Sequence, residues 1–145
     1  MSAPPRAIAA VVRGLHHVAI AVENLASARK TYEKALGLSG LPIEHVADQK
    51  VNVLVLFAGL QRVELVEPAA PDSPVAGFLR KRGGGIHHVA WNVDDIESAI
   101  ARLKASGVKL IDETPRPGAH GTRIAFVHPK STGGVLMELV EEPLR

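Results

Sequence analysis

A nine-residue stretch of this chain recurs. Gly14-Leu15-His16-His17-Val18-Ala19-Ile20-Ala21-Val22 returns 71 residues later as Gly85-Ile86-His87-His88-Val89-Ala90-Trp91-Asn92-Val93, with six of the nine positions identical. A second echo closes each copy. Val63-Glu64-Leu65-Val66-Glu67 is answered by Met137-Glu138-Leu139-Val140-Glu141, here 74 residues on, so three residues are inserted between the anchors. Two copies of one supersecondary unit follow from this. A histidine at the same place in both copies argues that the units meet around something the histidines bind.

Between the anchors the pattern predicts a β-α-β-β-β unit. Leu15–Val22 has the length and β-branched content of a strand. Asn24 is a candidate N-cap, Leu25, Ala28, Tyr32, Ala35 and Leu36 fall at helical spacing, and Gly37 supplies a stop. Strands are expected over Pro42–Ala47, Val51–Ala58 and Gln61–Val66, with Gly59 in the turn between the last two. A proline-rich linker over Glu67–Ser73 and a short helix over Val75–Arg82 lead to the second unit. It repeats the plan with a strand at Ile86–Val93, an N-cap at Asp95 and a helix carrying Ile96, Ala99, Ile100 and Leu103 that stops at Gly107. Strands are expected near Lys109–Glu113, Arg123–His128 and Val135–Val140, and the loop Thr114–Thr122 is a candidate site rim. The expected architecture is α+β: two tandem βαβββ modules forming one curved mixed sheet, helices on its convex side and a cup on the other. The expected division is a flexible arm at 1–13, module one at 14–67, linker and short helix at 68–84, and module two at 85–145.

Composition narrows the chemistry. The chain has no cysteine, which removes disulfides, zinc–thiolate sites and thiol nucleophiles, so any metal must be held by nitrogen and oxygen. A net charge of +2 without an arginine-rich, aromatic-interleaved run gives no nucleic-acid signature. No apolar run approaches the roughly 20 residues of a membrane span, and the apolar stretch Ala7–Val12 is too short for a secretory signal. Cytoplasmic residence is the default expectation. Gly83-Gly84-Gly85 lacks the setting of a dinucleotide fingerprint, and no serine sits in a nucleophile-elbow context.

Strand alternation then picks out the candidate site. Side chains alternate across a strand, so His17 and His88 lie opposite the apolar residues of their strands, and Glu64 and Glu138 lie opposite Val63/Leu65 and Met137/Leu139. A two-fold relation between the modules would bring His17, Glu64, His88 and Glu138 into one ring. Two imidazoles and two carboxylates suit a divalent ion such as Co²⁺, Mn²⁺, Ni²⁺, Fe²⁺ or Zn²⁺. On the same reading His16 and His87 fall on the core side as braces for their strands. His120, in the glycine-rich loop, is a candidate substrate contact.

The paired modules and the His, Glu, His, Glu order resemble the vicinal oxygen chelate superfamily. Within it, Gly14 to Glu141 is similar to the methylmalonyl-CoA epimerase family. The narrowing matches are Asp72-Ser73-Pro74-Val75-Ala76-Gly77-Phe78-Leu79, Gly118-Ala119-His120-Gly121, His128-Pro129-Lys130 and Gly133-Gly134-Val135-Leu136-Met137-Glu138-Leu139. The resemblance implies metal-dependent inversion of the α-carbon of an acyl-CoA. The metal, with Co²⁺ the first choice and Mn²⁺, Ni²⁺ or Zn²⁺ as alternatives, acts as a Lewis acid, and carboxylates carry the proton, one of them at Glu138. It also implies a homodimer. Some bacterial members carry a second catalytic glutamate where Val53 stands here and a glutamine where Glu64 stands, which makes Glu64 the candidate second base. Arg80, Lys81, Arg82, Arg116 and Lys130 are candidates for gripping coenzyme A phosphates. A glyoxalase I-like lactoylglutathione lyase and a non-catalytic small-molecule binder of the same fold are the alternatives.

Overall fold

In the computed structural model, which describes residues 11–144, one nine-stranded sheet runs through both repeats. Module one contributes β1 (Gly14–Ala21), α1 (Leu25–Arg29), β2 (Ser39–Gly40), β3 (Glu44–Val46), β4 (Val51–Ala58) and β5 (Gln61–Pro68). A linking helix, α2 (Pro74–Arg82), precedes module two, made of β6 (Gly85–Asn92), α3 (Ile96–Ala105), β7 (Arg116–Pro117), β8 (Arg123–Val127) and β9 (Met137–Glu141). The strand order is β2-β4-β5-β1-β6-β9-β8-β7, with β3 also paired to β4. Each module pairs its first strand with its last in parallel, and the two first strands meet antiparallel at the centre. The registers match as well: Val18 pairs with Val63 and Val89 with Met137. The three inserted residues are therefore absorbed away from the central strands.

Alternation sorts the two faces. Leu54, Leu56 and Leu65 pack with Leu25 beneath α1, and Val93, Ile96, Ile100, Ala125, Val127 and Leu139 pack beneath α3. The opposite residues of the same strands form the concave face: Val51, Val53, Val55 and Val66 in module one, Ala90, Ile124, Phe126 and Val140 in module two. Asn24 and Asp95 cap their helices through backbone N–H groups three residues on. The residue closing each repeat reaches the same helix start from the sheet. Glu67 accepts the N–H of Leu25 at 2.7 Å, and Glu141 accepts that of Ile96 at 2.9 Å.

Three expectations change. The helix after Asn24 is α-helical only to Arg29 and continues as a π-helix over Lys30–Ala35. The wider turn carries Leu36 off the apolar stripe into solvent, where it is 64% exposed. The strand expected near Lys109–Glu113 is reduced to a single bridge, Leu110 to Val127. There the Asp112 carboxylate accepts the N–H of Phe126 at 2.9 Å, taking the place of a ladder bond. The strand expected over Pro42–Ala47 is confined to Glu44–Val46, and Ala47–Gln49 is a 3₁₀ turn. Most of the expected N-terminal arm lies outside the described residues; at its end Arg13 donates its backbone N–H to Asn92 and pairs with Asp94. Among the described residues no helix is long and apolar enough to cross a membrane.

Candidate metal centre

His17 on β1, Glu64 on β5, His88 on β6 and Glu138 on β9 come from four adjacent strands and point into the cup. Matched parallel registers, Ala19 beside Glu64 and Ala90 beside Glu138, bring each carboxylate alongside the histidine of its own module. The antiparallel β1–β6 pair brings the modules together. All four side chains are buried, so the site is a floor beneath an apolar wall. His17 Nε2 lies 3.2 Å from His88 Nε2 and 3.3 Å from Glu138 Oε1, and His88 Nε2 lies 3.4 Å from the same oxygen. Donors about 2.0–2.2 Å from one divalent ion, in tetrahedral or octahedral array, stand roughly 2.9–3.5 Å apart. These three atoms fit that requirement. Glu64 is placed differently: its Oε2 faces the other nitrogen of His17, Nδ1, at 3.1 Å.

The charges within this buried set oppose one another. Burial alone would lower His17, but the Glu64 and Glu138 carboxylates outweigh it and hold the group above its ordinary value. Burial drives Glu64 upward against the pull of His17. Glu138, equally buried, goes the other way, because His88 and His17 together hold it far below the usual carboxylate range. The two carboxylates of the repeat are thus electrostatically unlike.

A β-bulge redirects the first histidine of each pair. Leu15 pairs with Trp91 and His17 with Ala90, leaving His16 as the extra residue; Ala19 pairs with His88 and Ile20 with Ile86, leaving His87. A bulge turns its extra side chain off the alternation. His16 therefore lines the same cup as His17, and the expectation that it lies on the core side is corrected. Its Nδ1 is 2.7 Å from His17 Nδ1, and its Nε2 meets the Glu142 carboxylate. His87 Nδ1 is likewise 2.8 Å from His88 Nδ1, with its ring edge-on to Phe78. Burial is the main cause holding both first histidines below the ordinary value, His87 at about 4.

Three comparisons with known proteins bear on this cup. Residues 16–126 match the family model of the Glyoxalase/Bleomycin resistance protein/Dioxygenase superfamily. The chain belongs to that superfamily. It is 43% identical over 131 residues to the mitochondrial methylmalonyl-CoA epimerase of Dictyostelium discoideum, covering 88% of this chain and 78% of that one. The crystal structure of methylmalonyl-CoA epimerase from Mycobacterium tuberculosis superposes with a TM-score of 0.90 at 38% identity, covering 96% and 94% of the two chains. A methylmalonyl-CoA epimerase in complex with methylmalonyl-CoA and NH4+ superposes with a TM-score of 0.85 at 32% identity, covering 90% and 95%.

The wall and rim of this superfamily cup complete the inventory. Val53, where a second glutamate was looked for, is a buried part of the apolar wall with Val55, Val66, Ile124 and Val140. The Thr114–Thr122 loop forms the rim, as its composition suggested. Gly118, Ala119, His120 and Thr122 line the cup, and a side chain at Gly118 would meet Thr122 Oγ1 at 2.4 Å. His120 holds a left-handed backbone and donates its N–H to Glu44 at 2.6 Å. Of the proposed phosphate-gripping cations, none lines the cup. Arg116 pairs with Asp48 at 2.8 Å, while Lys81 and Arg82 border a separate hollow with Phe78, Ile86 and Val135. Arg62 and Glu142, paired at 3.2 Å, do line the cup and were missed. The signal for Glu142 was present: the alternation that selects Glu138 runs on through Val140 to it.

Proposed function

We propose that this chain is a metal-dependent epimerase that interconverts the 2R and 2S forms of methylmalonyl-CoA. The observation that carries it is the buried His17–His88–Glu138 triangle under an apolar cup, in a chain this similar to methylmalonyl-CoA epimerases. His17, His88 and Glu138 would hold a divalent ion, with Glu64 joining them as a fourth ligand by rotating its carboxylate from Nδ1 of His17 into the ring. A Co²⁺ ion, or Mn²⁺, Ni²⁺ or Zn²⁺ in its place, would supply Lewis-acid stabilisation of negative charge on the thioester and carboxylate oxygens of the substrate.

The chain's own groups do the rest. Glu138 faces the imidazoles through Oε1, and its carboxylate would take the α-proton. Inversion needs a proton returned to the opposite face, and Val53 cannot carry it. Glu64 stands across the His17 ring from Glu138, at Nδ1 where Glu138 is at Nε2. That placement makes Glu64 the candidate for the second face. Val53, Val55, Val66, Ile124 and Val140 exclude water from the carbanionic centre. Arg80, Lys81, Arg82, Arg116 and Lys130 remain the candidate cations for the coenzyme A phosphates. The same reading includes a homodimer acting in the cytoplasm.

The test is loss of configuration of one methylmalonyl-CoA epimer in deuterated buffer. Epimerisation with deuterium incorporation, abolished by a chelator and restored by Co²⁺, is expected. No turnover in the metal-loaded protein, together with thioester formation from methylglyoxal and glutathione, would replace the epimerase reading with the lyase.

A further inference from the structure

The doubled histidine is left over from the site as described: a metal centre needs one imidazole from each strand, yet both strands carry two. We propose that His16 is a positioning residue, locked by Glu142, that accepts the Nδ1 proton of His17 and so fixes the tautomer in which His17 turns its Nε2 lone pair toward His88 and Glu138. The inference rests on the metal reading above and adds to it how this chain prepares one ligand.

Glu142 is 40% exposed at its side chain and is held at 3.2 Å by Arg62, while the His16 side chain it meets is 5% exposed. A carboxylate accepts hydrogen bonds and does not donate them, so His16 Nε2 carries the proton of that contact. A neutral imidazole with hydrogen on Nε2 has a lone pair on Nδ1. That lone pair faces His17 Nδ1 at 2.7 Å. The second group at His17 Nδ1 is the Glu64 carboxylate at 3.1 Å, also an acceptor. Both are acceptors, and once Glu64 turns toward an ion His16 remains to take the Nδ1 proton; the neutral ring that ligates an ion then keeps its lone pair on Nε2. It is this Nε2 that forms the triangle with His88 Nε2 and Glu138 Oε1. Metal-ligating histidines generally have their far nitrogen fixed in this way, and loss of such a partner costs about 10–100-fold in metal affinity.

The bulge is what makes the arrangement possible. Without an extra residue in β1, alternation would send His16 to the helix-side face, away from His17 and Glu142. The second strand repeats the bulge and the Nδ1–Nδ1 approach, at 2.8 Å, but His87 lies against Phe78, and among the described residues no carboxylate pairs with its far nitrogen. The relay is thus anchored in module one.

Two measurements test it. In the zinc-loaded wild type, ¹⁵N-edited long-range NMR of the histidine rings is expected to show His16 with its proton on Nε2 and His17 with its proton on Nδ1; a proton on Nδ1 of His16 overturns the proposal without any variant being made. His16→Phe is expected to weaken zinc binding about 10–100-fold while the melting temperature of the metal-free protein stays close to wild type. His16→Asn, whose amide oxygen can accept the same proton, is expected to recover most of that affinity. Zinc binding by His16→Phe at wild-type strength, or a loss no greater than its loss of metal-free stability, refutes the positioning role. Failure of the wild type itself to bind zinc would instead sink the metal reading, so the two failures are distinguishable.

Discussion

In module one, His17 meets its carboxylate, Glu64, through Nδ1, and Glu142 stands behind it by way of His16. In module two, His88 meets Glu138 through Nε2, and behind it His87 rests on the ring of Phe78. The strands carrying these residues pair in the same register in both copies, so the difference does not come from the fold. It comes from which side of the imidazole each carboxylate occupies and from what fills the bulge. Under the proposed function, the site must reach both faces of a carbon centre. On that proposal the duplicated module would supply the two approaches, and divergence at a few side chains would make them chemically different.

The largest expected effect tests that difference directly. Glu138→Gln removes the carboxylate that touches both imidazoles and should lower kcat for epimerisation by about 10³-fold, within the range seen for loss of a general acid or base. Glu64→Gln should cost roughly 10–100-fold, chiefly through the second proton transfer and the affinity for metal. Following both epimerisation and solvent deuterium incorporation separates the steps. Equal losses would mean that the copies are chemically equivalent and the contrast drawn above is only geometric. Wild-type rates for Glu64→Gln in both assays would remove Glu64 as the second proton carrier.

The next effect concerns what the copies share. Leu65 and Leu139 occupy equivalent positions beside the site glutamates, facing the helices, and each is almost wholly buried. Leu65→Ala and Leu139→Ala should each cost about 2–5 kcal/mol, the transfer term plus the cavity left behind. Because β1 and β6 join the modules in one sheet, urea unfolding followed by far-UV circular dichroism and by Trp91 fluorescence should give one coincident transition for both variants. A module that melts separately in either variant would show that the repeats are two bodies in contact.

How much of this was legible beforehand depended on the kind of regularity involved. His17, Glu64, His88 and Glu138 could be picked out because period-two alternation and a 71-to-74-residue echo both act along the chain, where a sequence displays them. The bulges could not. Whether His16 or His17 is the extra residue is decided by counting partners on the opposite strand, and the two residues are identical. The π-turn after Arg29 and the bridge at Leu110 were hidden for a similar reason, since Thr31, Tyr32 and Asp112 redirect backbone hydrogen bonds that periodicity assumes regular. Glu142 differs again: its alternation is readable, but it lies outside the echo that marks the other four.

The smallest effect lies at the last residue of each repeat. Glu67 and Glu141 both accept the first N–H of the helix above them, a role neither spacing nor composition announced, and both act at the positive end of a helix. Their other partners differ. The second oxygen of Glu67 accepts from Asn52 Nδ2 at 3.0 Å, and that of Glu141 from Arg123 at 3.4 Å, both in part-buried contacts, but Arg123 also pairs with Glu97. Removing Glu67 therefore leaves the Asn52 Nδ2 donor without this acceptor, whereas removing Glu141 leaves an arginine still paired with Glu97. Glu67→Ala should cost about 1–2 kcal/mol and Glu141→Ala about 0.5–1 kcal/mol in urea midpoint analysis at constant slope. The reverse order would show that the charge on Arg123 matters more than the acceptor lost at Asn52.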